Sequence, residues 1–191
     1  VAFRDYVALD EIREAEYMKD AEIQSALQAI MENGKYRAPD NHEVNVDAGI
    51  IFLGNISSDK QNEYVNMCVD LPKPFHQPQF LDRIHAFIKG WDLPRMKDDM
   101  KAQGWALNSE YFATIMHELR DDASYRVIVD KLIVMPPDSD TRDTEAIKKI
   151  CTAFLKLLFP KVRKPSDISR SDFWNYCLKP AMDMRAIVRI Q

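Results

Sequence analysis

Only five of the 191 residues are glycine, against an average usage of about 7%. Backbone that wraps a phosphate does so in glycine-rich loops, so this chain has few places to build one. The nearest spacing is Gly49-Ile50-Ile51-Phe52-Leu53-Gly54-Asn55. It fills the loop with strand-formers and sets Asn55 where a phosphate-binding lysine must stand, so it is no P-loop. Cysteine is also scarce: Cys68, Cys151 and Cys177 are odd in number, scattered and in no CxxC pattern. That speaks for a reducing compartment and against a disulfide framework or a zinc ribbon. The four histidines lie far apart, and His117-Glu118-Leu119-Arg120-Asp121 opens like a zincin helix but ends on the wrong residue, so no metal site is expected from them. No Gly-x-Ser-x-Gly elbow and no cysteine-protease signature is present. No apolar run approaches the ~18–20 residues of a membrane span, and no signal segment opens the chain. The expectation is a cytoplasmic protein with no membrane partner. Excess positive charge is missing too: 30 acidic residues face 26 basic ones, a net charge of −4. A polycation that coats nucleic acid by charge alone is excluded.

What is present suffices for a folded core: 46% of residues are hydrophobic and 29% charged, a balance unlike that of disordered chains. The run Tyr6–Leu9, closed by Asp10 and Glu11, reads as a buried strand that delivers carboxylates to its C-terminal end. A helix is expected over 19–33, with Ile23, Leu27, Ile30 and Met31 on one face and Asn33-Gly34 as its stop. Tyr36–Val46 reads as a hairpin turning at Pro39-Asp40-Asn41. Residues 48–55 form a second buried strand ending in Asn55, and a third short strand is expected at Ile84–Ile88. Helices are expected near Lys97–Gln103, at Ser109–Ala123 with Asn108 as cap, and from Asp140 onward. A last helix begins near Ser166 or Ser171, with Pro180 as a kink or break. Because the chain starts on Val1 and on a strand that needs neighbours on both edges, it reads as a piece of something longer.

Pro136-Pro137 is the strongest linker signal. Residues 1–137 hold 15 basic and 23 acidic residues, net −8, whereas 138–191 hold 11 and 7, net +4. The sequence therefore divides into an α/β part, 1–137, and a small, mildly basic helical part, 138–191.

Chemistry concentrates where strands end. A carboxylate at the mouth of a sheet can hold Mg²⁺ through water, its neighbour can activate an attacking water, and an amide on the next strand can orient it. Asp10, Glu11 and Asn55 fit those roles; alternatively, the two acids cap the next helix. Arg83 can stabilise charge in a phosphoryl-transfer transition state or pair with Asp82, and Arg142 can do the same or pair with Asp143, Glu145 or a main-chain carbonyl. Lys35 and Arg37 flank the hairpin, and Lys161-Val162-Arg163-Lys164 is a basic cluster; either can touch a nucleic-acid backbone or stay solvated. Trp91, Trp105 and Trp174 read as packing residues. A metal-dependent nuclease using Asp10 and Glu11 is a further alternative.

In order, Val7-Ala8-Leu9-Asp10-Glu11, Met31-Glu32-Asn33-Gly34-Lys35-Tyr36, Ile50-Ile51-Phe52-Leu53-Gly54-Asn55-Ile56 and Asp82-Arg83-Ile84-His85-Ala86-Phe87-Ile88-Lys89-Gly90-Trp91-Asp92-Leu93-Pro94 resemble the AAA+ core of the Lon-like protein family of BREX phage-defence systems (the BrxL family). Thr141-Arg142-Asp143 and Leu155-Lys156-Leu157-Leu158-Phe159-Pro160 resemble its helical end. The resemblance implies the C-terminal half of a three-layer αβα AAA+ core, then an all-helical lid. It implies Asp10 and Glu11 as the Walker B pair, Asp10 acting on Mg²⁺ through water and Glu11 on the attacking water. Asn55 is then sensor 1, Arg83 an arginine finger serving the adjacent subunit, and Arg142 a sensor 2 contact to nucleotide phosphate. The hairpin at 35–47 resembles a pore hairpin, with Lys35 and Arg37 as DNA contacts. ATP, Mg²⁺, a ring of identical subunits, DNA and other BREX components are the implied partners. Two departures stand out: the sequence holds neither a Walker A loop nor the Lon-like Ser/Lys domain. This chain alone is therefore expected to hold no nucleotide tightly and to turn over little ATP. The alternative is a non-catalytic DNA- or partner-binding module with a degenerate ATPase fold.

Overall fold

The computed structural model describes residues 5–38, 40–57, 59, 61, 67–136 and 138–191. Pro39 of the expected hairpin turn and Pro137 of the expected linker lie outside the described residues. The fold is mixed α/β, and compactness divides it into two units: Val1–Ile84 with Ala186–Gln191, and His85–Arg185.

In the first unit, β1 (Tyr6–Leu9) lies parallel to β4 (Gly49–Phe52), with Tyr6 opposite Gly49 and Leu9 opposite Phe52. Between them run α1 (Ala21–Asn33) and an antiparallel hairpin of β2 (Lys35–Arg37) and β3 (Glu43–Asn45). Helix α1 starts where Asp20 accepts the amides of Glu22 and Ile23, and stops at Gly34, whose φ of 66° suits a residue without a β-carbon. The hairpin turn is tied by the Ala38 amide donating to the His42 carbonyl at 2.9 Å, with Asn41 left-handed at φ 72°. The core of this unit gathers Ile12, Met18, Leu27, Leu71 and a cluster of three phenylalanines. Phe52, Phe75 and Phe80 have ring centroids 5.1 to 5.9 Å apart. Phe80 is wholly buried, so its truncation to alanine removes about 3–5 kcal/mol.

Three expectations need correction here. The strands β1 and β4 are not buried on both faces: residues alternate between exposed and half-buried, with Tyr6 and Ile51 exposed. Among the described residues the pair has no third strand beside it, and Leu9, Ile50 and Phe52 pack on the core from one face only. The third strand expected at Ile84–Ile88 is irregular backbone; in the second unit the Phe87 amide donates to the helical carbonyl of Met184 instead of to a neighbouring strand. The helix expected at Lys97–Gln103 is a single 3₁₀ turn, Asp98–Met100.

The second unit is helical. After α2 (Pro78–Leu81), which belongs to the first unit, come α3 (Ser109–Arg120), α4 (Ser124–Leu132), α5 (Thr141–Leu158), α6 (Arg170–Phe173) and α7 (Lys179–Arg189), whose residues from Ala186 on are counted with the first unit. Asn108 caps α3 through the Tyr111 amide, and Asp140 caps α5 through the amides of Arg142 and Asp143. Helix α3 ends at Arg120, and the separate α4 after it was not legible in the pattern. Its inward side chains, Tyr125, Ile128 and Val129, pack in one core with Ile147, Cys151 and Leu155 of α5. Outside that core, Arg126 binds Asp130 and Glu145, and Lys148 binds Asp130 at 2.8 Å. Pro180 does not break the last helix: residues Trp174–Leu178 widen into a π turn immediately before it. Pro180 has no N–H to donate and its ring crowds the preceding turn, and widening that turn relieves both. Of the tryptophans expected to pack, Trp91 meets Phe87 at 6.3 Å, but Trp105 is fully exposed and Trp174 half exposed.

Candidate functional site

Parallel pairing sets the site. With Leu9 opposite Phe52, the residues immediately after each strand leave from the same end of the pair, as ligand-binding residues do in open α/β sheets. The ladder continues one step beyond the strands: Leu53 donates to the Leu9 carbonyl at 2.9 Å and Ile12 donates to the Leu53 carbonyl at 3.0 Å. Asp10 and Glu11 thus follow β1, and Asn55 follows β4, at the same end of the pair, and all three are exposed. One oxygen of Asp10 accepts the Glu11 amide at 2.8 Å. Glu11 sits in left-handed backbone, φ 51° and ψ 40°, which an L-residue adopts at a cost of about 1–2 kcal/mol. Behind it Ile12 is buried, anchoring the bend that lifts both carboxylates to the surface.

The donor set suits a hard cation held largely by water. Asp10 offers carboxylate oxygen, the ligand chemistry of Mg²⁺, which keeps several of its own waters and takes one or two protein carboxylates. Among the described residues no group of three His, Cys, Asp or Glu could enclose a metal ion. An ion beside Asp10 would therefore have to keep most of its own waters, and the sequence holds no glycine-rich loop to cradle phosphate beside it.

Arg83 comes just after α2, and the structure folds it back onto α1. Its Nη2 donates to Glu32 Oε2 at 2.5 Å and its Nη1 donates to the Gln79 carbonyl, so it forms an ion pair with Glu32, a partner that sequence proximity did not offer. The Arg83 side chain is 15% exposed. Arg142 lies in the other unit, exposed in the first turn of α5, its amide bound to Asp140. On the hairpin, Lys35 binds Glu43 across the strands at 2.8 Å. That hydrogen bond and charge, with a smaller contribution from Arg37, hold the Glu43 carboxyl below its ordinary value. Lys35 is thus a half-compensated cation, and Arg37 is exposed beside it. Both line an open hollow of about 510 Å³ with Ala29, Asn33, Tyr36 and Glu43.

Two groupings escaped the sequence. Glu32, read there only as part of a helix end, is the partner of Arg83. In the second unit Asp143 and Arg185 form a buried ion pair at 2.7 Å, 42 residues apart in sequence, and Lys149 Nζ lies 3.2 Å from His85 Nε2. Desolvation of the ring, then the charges of Lys149 and Arg185, push the His85 pKa down to about 4. The one local signal was Asp143 in the first turn of α5, where an acid also serves the helix N-terminus.

A family model described as "Lon-like protease BrxL-like, ATPase domain" matches residues 1–191. Two curated relatives are similar. The Lon-like protease BrxL of Escherichia coli O9:H4 (strain HS) is 28% identical over 194 residues, covering 100% of this chain and 27% of that protein. The Lon-like protease BrxL of Bacillus cereus (strain H3081.97) is 27% identical over 168 residues, covering 84% of this chain and 24% of that protein. The chain spans about a quarter of the length of these relatives.

Proposed function

The chain belongs to the Lon-like protease BrxL-like ATPase-domain family, and from that premise we propose that it is the hydrolytic half of an AAA+ ATPase in a longer Lon-like BREX protein, a ring of identical subunits acting on DNA in phage defence. In this reading residues 1–137 belong to the C-terminal half of a three-layer αβα core and residues 138–191 are its helical lid. Asp10 would help hold the Mg²⁺ that comes with ATP, Glu11 would accept the proton of the attacking water, and Asn55 would orient that water. Bound ATP·Mg²⁺ supplies the phosphoryl group and the charge of the metal. Arg83 reaches the nucleotide of the adjacent subunit and Arg142 contacts phosphate from the lid, each offsetting charge that develops on the phosphoryl oxygens. Lys35 and Arg37 meet the DNA backbone. The cradle for the phosphates comes from outside these 191 residues.

The observation that supports this reading most is the parallel register of β1 and β4, since Asp10 and Glu11 follow one strand and Asn55 follows the other at the same end of the pair. The test is subunit mixing in the full-length protein. Arg83→Ala and Glu11→Gln each abolish ATP turnover, and mixed rings recover part of it, because an intact Glu11 site then meets an intact Arg83 from its neighbour. No recovery on mixing argues against action between subunits, and turnover undiminished by either substitution overturns the assignment.

A further inference from the structure

Arg83 is in the wrong posture for a cation that is to serve a neighbour. Its guanidinium is covered and charge-compensated: Glu32 Oε2 lies 2.5 Å from Nη2, the Gln79 carbonyl takes Nη1, and 15% of the side chain meets solvent. Its Nε is a buried nitrogen with no hydrogen-bond partner among the described residues. A buried donor left unpaired is unfavourable, so leaving this seat forfeits no bond at Nε. The Glu32 carboxylate is what holds the arginine down.

Glu32 is joined to the hairpin by two residues of backbone. It stands in the last turn of α1. Gly34, which closes that turn by donating to the Ile30 carbonyl at 2.9 Å, accepts the Val46 amide at 2.7 Å just past β3, and β2 starts at the next residue, Lys35. The approach there is tight: a β-carbon on Gly34 would stand 3.2 Å from the Val46 carbonyl oxygen. The end of α1 and the root of the hairpin are thus one braced piece, and a displacement of the hairpin turns the Glu32 side chain with it.

We propose that Glu32 is a latch on Arg83, closed in the structure described and opened when nucleic acid displaces the hairpin Lys35–Asn45. The latch rests on the reading of Arg83 as the cation that serves the adjacent subunit. It adds that the hairpin governs when that cation is available. Lys35 and Arg37, beside the open hollow at the hairpin base, are the groups a phosphate backbone would engage, and engaging Lys35 competes with Glu43 for it.

The experiment is steady-state ATP turnover of the full-length protein with and without random-sequence duplex DNA, in the wild type, Glu32→Gln, Glu32→Ala and Arg83→Ala. Glu32 is half exposed, so both substitutions leave the fold intact, and the second guards against a residual amide bond to Arg83. DNA is expected to accelerate the wild type. Both Glu32 variants are expected to be faster than wild type without DNA by about fivefold or more, with little further gain on adding it. A wild type that DNA accelerates, beside Glu32 variants whose unstimulated rate is unchanged or lower, overturns the latch and leaves the ATPase reading standing. A wild type indifferent to DNA also overturns the latch. Turnover retained in Arg83→Ala overturns the assignment of Arg83 itself.

Discussion

Gly54 lies so close to Ile12 that a β-carbon on it would stand 2.8 Å from Ile12 Cγ1, with Leu71 Cδ2 at 3.4 Å on another side. Ile12 is the buried anchor behind Glu11, so the absence of a side chain at 54 is what lets the bend carrying the acids seat against the second strand. Gly54→Ala forces Ile12 to shift. The expected loss is about 1–3 kcal/mol, the range of overpacked cores, read as a lower midpoint in chemical denaturation. An unchanged midpoint would show that Ile12 moves aside without strain.

Glu11 gives a prediction of opposite sign. Its backbone is left-handed, which favours glycine, so Glu11→Gly raises stability by about 1 kcal/mol. The same substitution removes the carboxylate and with it ATP turnover in the full-length protein. Stability gained while activity is lost marks a residue kept for its chemistry; a loss of both would mean that the side chain supports the fold.

Asp143 and Arg185 are both buried and paired at 2.7 Å. Arg185→Met leaves the carboxylate in the interior without its guanidinium, at a cost of about 3–5 kcal/mol. Asp143→Leu combined with Arg185→Met removes both charges and recovers most of it, measured as a double-mutant cycle on unfolding free energy. Equal losses in the single and double variants would contradict the pairing.

His85 ties stability to pH. Its folded-state pKa is pushed from 6.5 to about 4, so between those values the unfolded chain binds a proton that the native protein refuses. Stability therefore falls as pH drops from about 6.5 towards 4, and above 6.5 this group contributes no pH dependence. His85→Gln flattens that part of the profile. The comparison is urea midpoints of the two proteins across the range, and parallel profiles would count against it.

Local signals account for much of what the sequence disclosed. Asn108 caps α3 as its side-chain chemistry dictates, and Gly34 ends α1 because a left-handed residue was needed there. The positions of Asp10, Glu11 and Asn55 just after two strands were legible because an apolar run marks a strand. Features that depend on tertiary partners were hidden. Ile84–Ile88 has the composition of a strand but, among the described residues, lacks a strand beside it, and the Phe87 amide is taken up by a helix carbonyl. Arg83 stands next to Asp82, yet its carboxylate partner is Glu32, 51 residues away. The αL backbone of Glu11 left no mark in the residue type, because the strain is held by Ile12 behind it.

The measurement that bears most directly on the central claim is ATP binding and turnover by full-length protein carrying Glu11→Gln. The substitution keeps size and hydrogen bonding but cannot accept the proton of the attacking water. Binding at wild-type affinity with turnover reduced by about 100-fold or more is the predicted result. Turnover near the wild-type rate would contradict the assignment of this strand edge as the hydrolytic site.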